Sequence, residues 1–456
     1  MTSLITQIYL NQSRNFPILI LFFIGFEFHI IFHVHLALVF FPLSFMVMRQ
    51  TLYLSLYDLL SNDPKKILYS GFPLTCSKST VFNKISQHAI ASQSFYYYFY
   101  YFIINNDLLK TKPSTQNQNN MKTTISDDEF YAGLQQLPKP KYPFTDSIHP
   151  DFQLQREEYY DWIDRKYIFH SQEAREKHKQ HNLTDIAARG CPFLKNLAEL
   201  RPLASYAADG AMMDDYFDRC SHDEMAEIAT RIMALLTGDD PNEPADNGIF
   251  HQFWTLRQNI ITCEMPERLY KKFLKSLHEV LIGYADERVY YRSNTIPPLP
   301  IYLLIREATS GGQPFCKYVA MQKDYRHLPD SILEHLHIQR LHTISALMIG
   351  IHNDIISLPK ELHREEDTMN LVKVLQQEHK TSIKEAYMMA LEVHDNYLKE
   401  FLVLQEHLPS FGQWQDMTRN YVQDLGIMVA GVYAWHTNDT TRYVNGGYVE
   451  GEYNSK

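Results

Sequence analysis

The five residues Asp214-Asp215-Tyr216-Phe217-Asp218 follow an apolar run at 203–213. At helical spacing Asp214 and Asp218 fall on one face, one turn apart. Like charges projecting together from an apolar flank repel and are costly to desolvate, so a divalent cation is a natural partner for them. An acidic helix end standing in solvent is the other reading of the same residues. A second group lies further along: Asn353, Ser357 and Glu361 recur at i, i+4 and i+8 after the apolar run 344–351. That spacing sets an amide oxygen, a hydroxyl and a carboxylate along one helix face. All three are hard oxygen donors suited to Mg²⁺, and Asp354 and Lys360 flank them. If buried, such a polar stripe needs a partner.

Two basic elements accompany these acids. Arg306 stands in Ile305-Arg306-Glu307-Ala308-Thr309-Ser310-Gly311, and Arg442-Tyr443 follows Trp435. An arginine can grip a phosphate through two parallel hydrogen bonds, and a tyrosine hydroxyl can donate another. The formal net charge of -10 excludes nonspecific nucleic-acid binding, which needs a basic surface. An acidic protein that handles an anion must do so with local cations or bound metal.

The elements that position these residues read as helices. Apolar residues recur at three- and four-residue spacing through 154–180, 193–217, 224–236, 250–260, 267–291, 299–308, 314–323, 331–356, 366–407 and 411–435, with almost no alternating segment. The fold class is all-α. Ser221 and Glu224 have capping-box spacing, Pro266 suits a first helical turn, and Gly238-Asp239-Asp240-Pro241 ends a helix in a polar loop. Pro359 lacks an N–H and predicts a kink beside Ser357.

Taken together, the motifs resemble those of the microbial, bacterial-type class I terpene synthases. The Asp-rich motif matches Asp214, Asp215 and Asp218; the NDxxSxxxE motif matches Asn353, Asp354, Ser357 and Glu361, with Lys360 accompanying; the RY pair matches Arg442 and Tyr443. Arg306 falls where that family places its diphosphate-sensing arginine, with Thr309 and Ser310 at the linker and effector positions of the same turn. The resemblance implies a single-domain helical bundle around a central active-site cavity. It also implies three Mg²⁺ ions, for which Mn²⁺ could substitute, held by Asp214, Asp215 and Asp218 on one side and Asn353, Ser357 and Glu361 on the other. Arg306, Lys360, Arg442 and Tyr443 would hold the diphosphate of a prenyl substrate, farnesyl diphosphate first and geranylgeranyl or geranyl diphosphate after it. The product would be a cyclised sesquiterpene, and a homodimer would fit the family. Tyr206, Phe217, Phe253, Trp254, Tyr433 and Trp435 are candidates to stabilise the carbocation through their faces, although core packing is the commoner role for such rings. The chain departs from the family where Tyr206 and then Asp209, Gly210, Ala211, Met212 and Met213 precede the Asp-rich motif, a less aromatic wall than is usual there. Competing readings are a chain-elongating prenyltransferase, for which a second Asp-rich motif is expected where Asn353–Glu361 stands, and a catalytically silent helical binding protein.

Residues 1–120 differ from the rest. The stretch 16–48 is nearly all apolar but is interrupted by Glu27, His29, His33 and His35; 94–104 is largely Tyr and Phe; 110–120 is a polar Thr/Gln/Asn stretch. Membrane association is expected only if the apolar stretch is a true anchor. The reading adopted is that residues 1–120 are a disordered extension or lie outside the functional protein, and that 121–456, opening at Met121, is the catalytic domain. Five widely spaced cysteines form no paired motif, which points to a reducing, cytoplasmic setting. His335, His337, His342 and His352 share a helical segment without an HExxH pattern and are expected to pack rather than bind metal.

Overall fold

A computed structural model describes Gly133 and residues 136–447, apart from 218–219, 246–247, 363–367 and 445–446. All of these lie in the chain unit Asn119–Lys456. The expectations for residues 1–120, the placement of Asp218 and the side chain of Asp214 lie outside the described residues.

Among the described residues the regular structure is helical. In chain order the helices are α1 Phe152–Lys166, α2 Gln172–Gln180, α3 Asp185–Gly190, α4 Leu197–Phe217, α5 His222–Thr237, α6 Ile249–Thr262, α7 Glu267–Ser293, α8 Leu299–Thr309, α9 Gly312–Met321, α10 Asp330–Leu333, α11 Leu336–Leu362, α12 Leu371–His379, α13 Ile383–Glu406 and α14 Gln415–Ala434. A 3₁₀ turn, Gly412–Trp414, precedes α14, and a π turn, Trp435–Asp439, follows it.

Several expected helices are each two. The segment 154–180 breaks after Lys166, because Tyr167 turns extended and Ser171 accepts a hydrogen bond from Ala174 N to start α2. The segment 331–356 divides into α10 and α11. In 366–407 Lys380 adopts the left-handed conformation, and a capping box at Ser382 and Glu385 opens α13. The capping box at Ser221 and Glu224 is present, and Gly238 closes α5 at φ +87°. Pro266 is the residue before α7 rather than inside its first turn. Pro359 does not end α11, which continues to Leu362; so near the C-terminus the ring removes only one backbone bond, in the helix's half-buried last turns.

Helix α11 is the axis of the bundle. It packs against α8, α9, α12, α13 and α14, which explains why most of its residues from Ile338 to Leu358 are buried, polar ones included. On the other side of the site α4 lies along α6, while α7 supports α8 and α9. Helix α14 rests on α3, so the chain's last described turns come back against the segment that leads into α4. The core runs through all of these elements as one apolar cluster.

Candidate active site

A cavity of about 150 Å³ opens between α4, α7, α8, α11 and the end of α14. Its walls carry Tyr206, Phe253, Tyr284, Phe315 and Trp435, together with small and aliphatic residues such as Gly210, Ala211, Met213, Leu277 and Val280. The polar residues on it are Arg306, Thr309, Ser310, Asn353, His436, Arg442 and Tyr443. Of the proposed aromatic faces, Tyr206, Phe253 and Trp435 line the cavity; Phe217, Trp254 and Tyr433 do not. Phe217 packs edge-on to Tyr284, and Tyr433 joins a ring cluster with Tyr142 and His352. Tyr284 and Phe315 were not distinguishable in sequence from core aromatics.

Arg306 comes from the last turns of α8, where Gly350 of α11 faces it. A Cβ at Gly350 would stand 2.8 Å from Arg306 Cγ, so only a glycine lets this side chain lie across α11. The guanidinium donates to Gly350 O (3.1 Å) and Asn353 Oδ1 (2.7 Å) and pairs with Asp354 Oδ1 (2.5 Å). Asp354 is buried and also accepts from the Tyr302 hydroxyl and from Leu371 N (2.6 Å). Burial pushes its carboxyl up to about 6 against the pull of Arg306, and the same pairing holds Arg306 well above the usual guanidinium range. The residue that looked like a flank of the second motif is therefore the anchor of the arginine.

Asn353 is the junction of the polar groups. Its Oδ1 accepts from Arg306, and its Nδ2 donates to Tyr443 Oη (2.9 Å) and His436 Nε2 (2.9 Å). His436 donates from Nδ1 to Val432 O (2.9 Å), which leaves Nε2 as the acceptor Asn353 requires. Burial drops its pKa to about 3, so the ring is neutral. Sequence spacing gave no hint of this histidine, which sits in the π turn after α14. The other histidines pack as expected: His352 bonds Tyr142 Oη (2.8 Å), His342 bonds Tyr421 Oη (2.6 Å), and His337 bonds Leu404 O (2.7 Å). The nearby His335 ring packs edge-on against Phe411.

Arg442 and Asp215 meet as a bidentate ion pair, Nη1 to Oδ2 at 2.8 Å and Nη2 to Oδ1 at 2.5 Å, with side chains 5 % and 4 % exposed. Sequence reasoning assigned one to diphosphate and the other to metal; the structure joins them, tying the C-terminal segment to the end of α4. Ser310 and Gly311 form the turn between α8 and α9. Gly311 adopts φ +69°, and Gly312 N donates to Ser310 Oγ (3.2 Å). Tyr206 donates to Gly311 O (2.9 Å) and so fixes that turn to α4. Two buried polar atoms on the cavity residues, Arg306 Nε and Thr309 Oγ1, have no hydrogen-bond partner within the protein. Unsatisfied donors of that kind beside a cavity are where a polar ligand would bind.

The candidate metal ligands divide. Asn353, Ser357 and Glu361 lie along one continuous helix, as the spacing predicted, and none of them is a nitrogen or sulfur donor. Ser357 is buried with a weak back-bond to Asp354 O (3.5 Å), and Glu361 Oε2 accepts from Asn370 Nδ2 (2.8 Å). Lys360 is half-buried beside Glu361 and does not line the cavity. Among the described residues no three His, Cys, Asp or Glu side chains converge as a metal cluster. The oxygen set on α11 fits a hard divalent cation by its chemistry, and Ser357 Oγ, with no strong bond of its own, is suited to join it.

Residues 208–400 match the model of terpene synthase family 2, C-terminal metal binding. A sesquiterpene synthase of Postia placenta is 24% identical over 308 residues, 66% of this chain and 86% of that protein. A (+)-eremophilene synthase of Sorangium cellulosum is 23% identical over 306 residues, 65% of this chain and 89% of its own length. The crystal structure of an a-eudesmol synthase superposes with a TM-score of 0.58 at 21% identity, covering 66% of this chain and 99% of that one. Relatives of similar identity are thus both fungal and bacterial, and the bacterial-type resemblance widens to terpene synthases at large. Residues 208–400 thus match a terpene synthase family model, and the helices have the all-α fold of solved terpene synthases.

Proposed function

We propose that this enzyme is a Mg²⁺-dependent sesquiterpene synthase that ionises farnesyl diphosphate, cyclises the resulting carbocation and releases diphosphate. The observation that carries the reading is the convergence of Arg306, Asn353, Arg442 and Tyr443, from three separate parts of the chain, on one cavity with apolar and aromatic walls. The names of the two relatives reported above support a fifteen-carbon substrate.

Asn353, Ser357 and Glu361 would hold metal on α11, with Asp214 and Asp218 supplying the opposite side. When bound, Mg²⁺ supplies positive charge that offsets the diphosphate and makes it a better leaving group. The chain's own residues do the rest. Arg306 directs its unpartnered Nε–H, and Thr309 its hydroxyl, toward a phosphate oxygen, while the buried carboxylate of Asp354 keeps the guanidinium in place. Tyr443 Oη accepts from Asn353 on the wall of the same cavity, within reach of the diphosphate end. The faces of Tyr206, Phe253, Tyr284, Phe315 and Trp435 surround the hydrocarbon part; each can stabilise a passing cation by roughly 0.5–2 kcal/mol while the apolar wall excludes water. We place this activity in residues 121–456.

The test is to incubate the protein with geranyl, farnesyl and geranylgeranyl diphosphates, with and without Mg²⁺, and to analyse the organic extract by gas chromatography with mass detection. A cyclic terpene formed from farnesyl diphosphate only with metal is the expected result. Longer linear diphosphates on addition of isopentenyl diphosphate would replace the proposal with chain elongation. No product from folded protein would refute it.

A further inference from the structure

Asn370 has no place in the motifs and does not line the cavity, yet each polar atom of its side chain is committed. It is fully buried. Its Oδ1 accepts from Val372 N (2.9 Å) and caps α12. Its Nδ2 donates to two groups of α11, Asp354 O (2.9 Å) and Glu361 Oε2 (2.8 Å). An asparagine amide has two N–H bonds and one carbonyl to offer, and this position uses all three. The orientation is therefore determined: a flipped amide would set its oxygen against a carbonyl and a carboxylate at once. Two neighbours extend the junction, since Leu371 N donates to Asp354 Oδ2 (2.6 Å) and Lys373 Nζ to Glu361 O (2.8 Å).

We propose that Asn370 is the positioning residue for Glu361, fixing the carboxylate of the third oxygen donor on α11 so that its other oxygen faces the metal. The inference rests on the proposed role of Glu361 as a ligand. Three features carry it. Glu361 is in the last turn of α11, one residue from its end and two beyond a proline, where the helix itself constrains a side chain least. The bond from Asn370 leaves Glu361 Oε1 for a cation, as a carboxylate held at one oxygen is presented with the other. Finally, the same amide grips the carbonyl of Asp354, so the spacing between the anchor of Arg306 and the ligand Glu361 is set by one rigid group.

Asn370→Ser separates the two tasks of this side chain, because serine caps a helix about as well as asparagine but has no amide to give Glu361. The variant, Glu361→Gln and the parent protein are each titrated with Mg²⁺ in the presence of inorganic pyrophosphate, by calorimetry, and the Mg²⁺ dependence of turnover is measured alongside. Loss of an outer hydrogen bond to a metal ligand typically weakens metal affinity about 10- to 100-fold, and a shift of that size in both Mg²⁺ titrations is expected for Asn370→Ser, with turnover recovering as Mg²⁺ is raised. Asn370→Asp, which sets a second carboxylate against Glu361, should shift the titrations further. If Asn370→Ser binds Mg²⁺ like the parent while Glu361→Gln does not, the positioning role is overturned and the ligand assignment stands. If Glu361→Gln also binds like the parent, Glu361 is not a ligand and both fall.

Discussion

Replacing Arg442 with alanine leaves Asp215 as a buried carboxylate without its bidentate partner, in a place where both side chains are about one-twentieth exposed. Removing one member of a buried ion pair costs about 3–5 kcal/mol, much of it the desolvation of the charge left behind. For a fold of this size, at about 2 °C per kcal/mol, that corresponds to a fall of roughly 6–10 °C in melting temperature. The assay is thermal unfolding followed by far-ultraviolet circular dichroism, in chelator so that no cation takes over the guanidinium's role. The double variant Arg442→Met with Asp215→Leu removes both charges and should recover most of the lost stability, because a buried pair exchanged for apolar groups is often near neutral. Turnover should be absent from both variants. If Arg442→Ala melts with the parent, the pair does not bear on stability as its burial implies; if the double variant falls as far as the single, the loss comes from packing rather than from the broken ion pair.

Asn353→Ala should abolish turnover with the helical circular-dichroism signal intact, because one amide holds Arg306, His436 and Tyr443 together; full activity would remove Asn353 from the site. Arg306→Lys should lose most of its turnover, since an ammonium cannot reach Asn353, Asp354 and a phosphate in one plane, and unchanged kinetics would reject its diphosphate role. Gly350→Ala should gain up to about 1 kcal/mol of helix propensity yet lose turnover by displacing Arg306; unfolding and product assays on one preparation separate the two effects. Asp424, half-buried beneath the Tyr325 hydroxyl, has its carboxyl raised by burial to about 6. A raised acid favours folding in its protonated form, so its contribution is complete below the unfolded value near 4 and is lost as pH rises through about 6. Asp424→Asn should therefore gain on the parent by at most about 3 kcal/mol between pH 4 and 8, a trend that denaturant titrations at both pH values would reveal or exclude.

The three-residue stripe on α11 was legible because i, i+4, i+8 spacing is a property of one helix, and the helix formed where its apolar residues required. The all-α class was legible for the same reason. Boundaries were less so: α1 and α2, or α12 and α13, continue one apolar rhythm, and what divides them is local, a serine side chain on a backbone N–H or a lysine in the left-handed region.

What sequence alone determined was the inventory of the site: an oxygen stripe, a paired acid motif, two arginines and a tyrosine, in an order that resembles one enzyme family. Tertiary structure decided who is bound to whom. Arg306 takes Asp354 and Asn353 from a helix some 47 residues further on, and Arg442 reaches Asp215 across 227 residues. His436 and Asn370 became visible only through such pairings. Periodicity reports which face a residue occupies on its own helix. It carries no information on which face of another helix will lie opposite, because that is fixed by the packing of the whole core around α11.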